Sequence, residues 1–384
     1  MNNYLKYSIL LLLTNQNWLF AQSSIKGEAT LTLDQAWDSD GNPLNQVGLR
    51  YIPTWSAGQP QSHKYRLDTE IAGNFSFYKY PDESRFSLKN NWARFHRGWI
   101  RLTSDRFEAR LGLQKITFGP ARLFRPLAWF DQLDPRDPQQ YTTGVTGFRL
   151  RYDFSNNAGI WLWGVKNENS LLIIREKRIS PDFGGRLVYP IGTGEISIAY
   201  NYSNVQIEGD LAETDIFSYD IRNQDNEFVM NLGGIDGTWD VGVGLWFELA
   251  VSYIDIIGFP DWHSNFTLGI DYTFAVGNGL TITSEYYIDD YSEEQLFAND
   301  AFRSDLFGLM GSYPVSMMDN LSLISFYYPD GDFQYNYVSW QRTYDNWLVQ
   351  VSAFFQTGEE VASLGSAMST VGTKGLQINL IFNH

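Results

Sequence analysis

The sequence predicts an all-β chain that closes into a transmembrane antiparallel up-and-down β-barrel of about 18 strands, with 16 as the runner-up count. Three observations carry this reading. Apolar residues recur at every second position through long segments, the links between segments alternate between short and long, and aromatic residues cluster at segment ends. Gly (33), Phe (26), Tyr (23) and Trp (13) abound while no long helical periodicity appears, which also favours a turn-rich β protein.

The chain opens MNNYLKYSILLLLTNQNWLFAQ, with a basic residue at Lys6, an apolar run from Ile9 to Leu13 and a small residue at Ala21. This pattern predicts a secretory signal peptide over residues 1–21, cleaved after Ala21, and a single barrel domain over 22–384. No later stretch approaches the roughly 18 apolar residues of a membrane-spanning helix. An exported chain of this kind enters a membrane only as a closed barrel, because an open ladder leaves backbone groups unpaired in hydrocarbon. The absence of cysteine excludes disulfides, thiolate metal sites and a lipoprotein anchor.

The segments follow in order. Ile25, Gly27, Ala29, Leu31 and Leu33 alternate with Lys26, Glu28, Thr30 and Thr32; in KYRLDTEIAGNF (64–75), Tyr65, Leu67, Ile71 and Phe75 alternate with Lys64, Arg66, Asp68 and Glu70. On a lipid face near the midplane each of those basic residues costs about 2–4 kcal/mol, so the charged face must look into a wet lumen. The same beat returns in Phe107–Leu113, Phe148–Phe154, Ile196–Tyr202, Phe266–Phe274, Trp347–Phe355 and Leu376–Phe382, and 239–253 reads as one long strand. Short links are expected at Ser104–Asp105, Ser155–Asn157, Pro190–Gly194, Gly234–Gly237, Val276–Gly279, Ser316–Asn320 and Thr343–Asn346. Mostly longer ones fall near 34–43, 78–85, 119–143, 166–182, 203–225, 255–264, 289–303 and 357–370. Tyr200, Tyr202, Tyr327, Tyr328, Tyr335 and Tyr337 mark candidate interface belts. A soluble sandwich alternates too, yet its strands average about five or six residues and its links lack this strict short-long order.

Charge is divided between the halves. Residues 1–186 carry 24 basic and 17 acidic residues, net +7, against 4 and 27, net −23, in 187–384. Three consecutive segments place Arg101, Arg106, Arg110, Arg149 and Arg151 toward one side, a column suited to anions or to the polar oxygens of a solute. The same arginines could equally pair with acids and stiffen the wall. In WARFHRGWIRL, strict alternation separates Arg94 and His96 from Arg97 and Arg101; a bulge at His96-Arg97 returns them all to the lumen, with Phe95, Ile100 and Leu102 facing lipid.

Residues 119–144 hold Pro120, Pro126, Pro135 and Pro138, which exclude a ladder strand, together with Leu123, Phe124, Leu127, Trp129 and Phe130, which are too apolar for a loop in water. The segment is predicted to fold over 119–143 into the pore, against the inner wall. Here LGLQKITFGPARLFRPLAWFDQLDPRDPQQYTTGVTGFRLRYDF (111–154) resembles the strand-loop-strand block of porin-like outer-membrane barrels, where a glycine-ended strand leads into an N/R-P-L…D-P segment and the third external loop narrows the pore. The resemblance implies a passive channel in the cell outer membrane, with Arg122, Arg125, Asp131, Asp134 and Asp137 near the constriction. The end of the chain departs from that pattern, since Phe382 is followed by Asn383 and His384.

The aspartates also read as turn caps pairing with Arg125 and Arg136, and DSDGN (38–42) as a plain surface turn, because a calcium loop needs a carboxylate at its twelfth position. His63, His96, His263 and His384 fall in no catalytic motif, so an enzyme is not expected. Neither is a plugged transporter, since the mature chain enters its first strand at once. The function expected is a passive porin for small hydrophilic solutes, in contact with outer-membrane lipid, without cofactor, metal or nucleic acid, its association into homo-oligomers left open. The alternative is a closed structural or adhesive barrel that binds a partner through its external loops.

Overall fold

The computed structural model describes residues 22–59, 64–79, 93–131, 133–167, 176–178, 180–207, 227–255, 260–293, 295–298, 301–358 and 372–384. The signal peptide expected over 1–21 lies outside them, as do His63 and much of the long links. The strands are β1 (Gln22–Trp37), β2 (Pro43–Gly58), β3 (Arg66–Lys79), β4 (Ala93–Thr103), β5 (Phe107–Gln114), β6 (Val145–Asp153) and β7 (Gly159–Lys166). There follow β8 (Glu176–Arg178), β9 (Asp182–Ile191), β10 (Gly194–Ile207), β11 (Glu227–Asp240), β12 (Gly244–Ile254) and β13 (Trp262–Phe274). The last are β14 (Leu280–Ser292), β15 (Phe302–Pro314), β16 (Asp319–Tyr328), β17 (Phe333–Thr343), β18 (Trp347–Thr357) and β19 (Lys374–Asn383).

Each long strand pairs antiparallel with its neighbours, and β1 pairs with β19 from Glu28↔Asn383 to Trp37↔Lys374, so the sheet closes on itself. The three-residue β8 adds a short ladder to β10 beyond the end of β9. Eighteen strands therefore build the wall. The segments near 183–190 and 333–342, whose weak patterns left 16 open, are β9 and β17.

Two expectations about the links are corrected. Gly234–Gly237 lies inside β11, and 239–253 is two strands joined by a turn at 241–243. There Asp240 Oδ1 accepts from the Gly242 amide at 3.1 Å and Gly242 adopts φ +90°, open to a residue without Cβ. Val241 and Val243 continue the apolar beat through the turn, so period alone could not reveal it. The DSDGN segment is a plain turn in which Asp38 Oδ1 accepts from the amides of Asp40 and Asn42.

Sidedness follows the charges. Leu111 (63 %), Ile71 (49 %), Leu187, Ile198, Leu268, Leu309 and Leu376 are exposed on the outside, while Ala72, Asn74, Ser197, Glu248 and Glu285 are buried within. An apolar surface running around the whole wall is stable only against hydrocarbon, which makes this a membrane-spanning barrel. No helix among the described residues is long and apolar enough to cross a membrane; the strands do the crossing.

The β3–β4 ladder contains the expected bulge. Ala72 pairs with Arg97 and Gly73 with Phe95, so His96 is the extra residue. Phe95, Ile100 and Leu102 consequently face outward, and Arg94, Arg97 and Arg101 inward. The tyrosine belt is only partly as expected: Tyr200 and Tyr327 are exposed outside, whereas Tyr335 and Tyr337 face inward and are buried, because apolar side chains inside the barrel need partners there.

Leu111→Arg is expected to destabilise the barrel in vesicles by about 2–4 kcal/mol. Denaturant titration of the vesicle-inserted variant checks this, and an unchanged midpoint contradicts the outward placement of Leu111.

Candidate functional site

The segment joining β5 to β6 does not leave the barrel but runs along its inner wall. Its prolines and irregular backbone leave amides with no ladder partner, and buried amides without acceptors are costly. Two wall carboxylates supply the acceptors. Glu248 on β12 accepts from the Ala121 amide through Oε1 (2.7 Å) and from Leu127 through Oε2 (3.1 Å). Glu285 on β14 accepts from Arg122 through Oε1 (2.7 Å) and from Leu123 (3.0 Å) and Phe124 (2.8 Å) through Oε2. Trp246 Nε1 donates to Glu285 Oε1 at 2.9 Å and orients it. Bare buried carboxylates are expensive; here N–H donors do the work a cation would otherwise do. Gly119, at φ +90°, makes the approach feasible, since a Cβ there would lie 2.2 Å from Glu248 Oε1.

The loop's apolar side chains meet both sides of this anchor. Leu127, Trp129 and Phe130 pack with Phe118, Trp163, Met230 and Leu232, and Leu123 and Phe124 with Leu306, Ile324, Phe326 and Tyr335. Phe124 stacks on Tyr287 at 5.0 Å, and Thr267 Oγ1 donates to the Phe124 carbonyl. The return arm then runs past β17 to the wall formed by β1 to β4. Arg136 Nη1 donates to Tyr335 Oη (2.9 Å), Gln139 Oε1 accepts from Thr30 Oγ1 and Arg50, and Tyr141 Oη accepts from Asn74 (2.7 Å) and Arg94. Arg97 Nη2 donates to Thr142 Oγ1 at 2.7 Å, and His96 stacks on Tyr141.

The sequence-predicted residues divide accordingly. Arg101, Arg110 and Arg149 are cross-strand neighbours on β4, β5 and β6, an arrangement of like charges that is unfavourable unless offset. Glu108 offsets it by pairing with all three, lying 3.7 Å from Arg101 Nη1 and 3.4 Å from Arg110 Nη2 and accepting a hydrogen bond from Arg149. Asp68 adds a second bond to Arg101 at 2.9 Å. Trp99 lies under Arg101 and Arg110, and Trp161 under Arg149 and Arg151, at 4.6 to 5.4 Å. Arg151 pairs with Asp153 at 2.9 Å. Arg106 does not join this wall, because β5 begins at Phe107 and leaves Arg106 exposed in the turn at 104–106.

The loop residues are more widely scattered than one constriction requires. Arg122 pairs with Asp271 at 2.6 Å and lies over Trp246, whereas Arg125 holds a buried Nη1 with no hydrogen-bond partner among the described residues. Asp131 is buried, accepts from Thr117 Oγ1 at 2.7 Å and sits 3.7 Å from Lys115, so it ties the loop's two arms together rather than pairing with Arg125. Asp134 grips Arg136; burial alone lowers a guanidinium pKa, yet Asp134's hydrogen bonds and charge carry it above the usual value. Asp137 caps a turn by accepting from the Gln139 and Tyr141 amides. Glu248 and Glu285, absent from the sequence reading, were visible there only as polar alternates within apolar strands. Among the described residues no group of three or more His, Cys, Asp or Glu side chains is placed to hold a metal ion.

No family model matches the chain, and neither does any curated protein. Solved structures do. OccK5 (OpdH) of Pseudomonas aeruginosa aligns with a TM-score of 0.55 at 10 % identity, over 95 % of this chain and 98 % of that one. Wzi of Escherichia coli, described as a carbohydrate-binding outer-membrane β-barrel involved in group 1 capsule assembly, gives 0.54 at 13 %, over 100 % and 89 %. OmpF of Salmonella typhi, in complex with daunomycin, gives 0.50 at 12 %, over 94 % and 97 %. The shared feature is the fold, that of outer-membrane porins and related barrels.

Glu285→Ala removes the acceptor of three loop amides, each bond to a charged group being worth about 1.5–3 kcal/mol. Hydrogen exchange at residues 122–124 is expected to accelerate by about tenfold or more. Exchange at the wild-type rate contradicts the anchoring role.

Proposed function

We propose that the chain is a passive, non-enzymatic channel for small hydrophilic solutes across the outer membrane, its eyelet formed by the inward loop 119–143 facing the wall of Arg101, Arg110, Arg149 and Arg151. Arg122, Arg125, Asp131, Asp134 and Asp137 tune and brace that loop, and Arg106 contributes charge at the mouth. The observation that carries the proposal is the convergence of Arg101, Arg110 and Arg149 on the single carboxylate of Glu108, flanked by Trp99 and Trp161. Arg66, Arg101, Arg110, Arg149 and Arg151 face Asp68, Glu108 and Asp153, a local excess of two positive charges. Such a surface in a wet lumen attracts anions and the oxygens of dipolar solutes.

The acidic half of the sequence offers less opposing field than its net charge suggests. Asp236 is closed by Arg186 at 2.6 Å, Asp271 by Arg122 at 2.6 Å, Asp305 by Arg303 at 3.0 Å and Asp319 by Arg342 at 3.4 Å. The non-enzymatic part of the reading rests on the sequence, where no histidine falls in a catalytic motif. Lipid contact comes with the fold, and homo-oligomers remain compatible with it. A second reading, the closed barrel that binds through its external loops, is favoured by the loop's attachment both to β12 and β14 and to β1 to β4.

Planar-bilayer recording separates the two. Open, salt-dependent single-channel current supports the channel, and a sealed barrel supports the second reading. In the channel, replacing Arg101, Arg110 and Arg149 together by Ser is expected to shift the reversal potential under a salt gradient toward cation preference; an unmoved potential removes that wall from the conduction path.

A further inference from the structure

Apart from the arginine wall, a cavity of about 290 Å³ lies between the loop's return arm (134–139) and the wall built by β17, β18, β19, β1, β2 and β3. Its lining includes four aromatic residues, Tyr335, Tyr337, Phe354 and Tyr78. Most of its polar groups already have partners. Thr32 Oγ1 donates to Asn379 Oδ1 (2.8 Å), and Asn379 Nδ2 donates to Gln350 Oε1 (2.9 Å) and Gln377 Oε1 (3.0 Å). Arg136 is held by Asp134, and Asp137 by the amides of Gln139 and Tyr141.

Three atoms from three separate elements have no hydrogen-bond partner among the described residues. Asp34 Oδ1 on β1, Arg50 Nε on β2 and Gln139 Nε2 on the loop are buried and unbonded, and their side chains line this one cavity. Native structures leave few such groups without a protein, water or ligand partner. The orphans are one acceptor and two donors. An anion satisfies the donors but confronts Asp34, and every cation at this cavity is already engaged: Arg136 by Asp134, Arg50 through Gln139 and, at 4.0 Å, Glu28. An ammonium satisfies Asp34 but leaves both donors bare. A hydroxyl both donates and accepts, so a ring bearing several hydroxyls meets all three. The aromatic faces suit its C–H surface, and the volume, at the small end for ligand pockets, suits a single ring.

We infer that this cavity is a binding site for one uncharged sugar ring, with Asp34, Arg50 and Gln139 as its polar contacts and Tyr335, Tyr337 and Phe354 as its apolar floor. The inference rests on the channel reading for its route into the lumen, and names a solute class for it, while binding itself requires no current. The folded barrel in detergent is titrated calorimetrically with methyl α-D-glucopyranoside and, separately, with D-glucuronate. Saturable binding of the glucoside at one site per barrel is expected, about tenfold or more tighter than glucuronate, and weakened about tenfold in Asp34→Ala and in Phe354→Ala. Circular dichroism verifies that each variant keeps its β signature, and either folded variant suffices. No saturable glucoside binding, equal binding of glucuronate, or unaltered affinity in a folded variant overturns the inference. A barrel that binds the glucoside yet passes no current in a bilayer overturns the channel and keeps the site; one that conducts without binding does the reverse.

Discussion

Backbone polarity in hydrocarbon is the constraint from which the rest of this molecule follows. No amide or carbonyl of a lipid-facing strand can look to water for a partner, so the sheet must close, and β1 must find β19 across nearly the whole length of the chain. Closure fixes two faces. Once the apolar alternates are committed to lipid, every charged alternate is committed to a lumen, and the arginines of β4 to β6 become neighbours whether or not their mutual repulsion is convenient. Glu108, Asp68 and the two tryptophans are the local response to that enforced proximity.

The same constraint returns inside the barrel in a milder form. A loop with prolines and exposed leucines is driven off the water by its side chains and then lacks acceptors for its amides. The wall answers with Glu248 and Glu285, placed on alternate positions of β12 and β14 where the strand pattern already points inward. Burial of the apolar side chains and satisfaction of the amides are therefore one event. Neither would hold the loop alone, since the carboxylates without the amides are unpaired buried charges and the aromatic clusters without the carboxylates bury bare N–H groups.

How much of this was legible in the sequence depends on the range of the physics involved. Period-two alternation is local, and it gave the strands, their sidedness and even the His96 bulge, because a charge on the wrong face is costly within a few residues. The hairpin turn at 241–243 escaped because Val241 and Val243 keep the alternation going across it. Arg106 was misplaced by a similar margin, one position short of its strand. The inner aromatic residues Tyr335 and Tyr337 looked like interface belt residues since alternation does not say which tyrosines a loop far away in sequence will cover. Glu248 and Glu285 were unreadable for the same reason: their partners lie more than 120 positions distant, and only the folded path of the loop connects them.

The β1–β19 seam carries a consequence for how the molecule comes to be. Gly27 and His384 exchange both backbone hydrogen bonds, at 2.9 and 3.0 Å, so β1 and β19 each cover the other's open edge. Until β19 emerges, β1 offers a long row of unpaired donors and acceptors, a surface on which a second copy could pair as readily as the proper partner. Assembly is thus a race between ring closure over a very long stretch of polypeptide and adhesion between unfinished molecules.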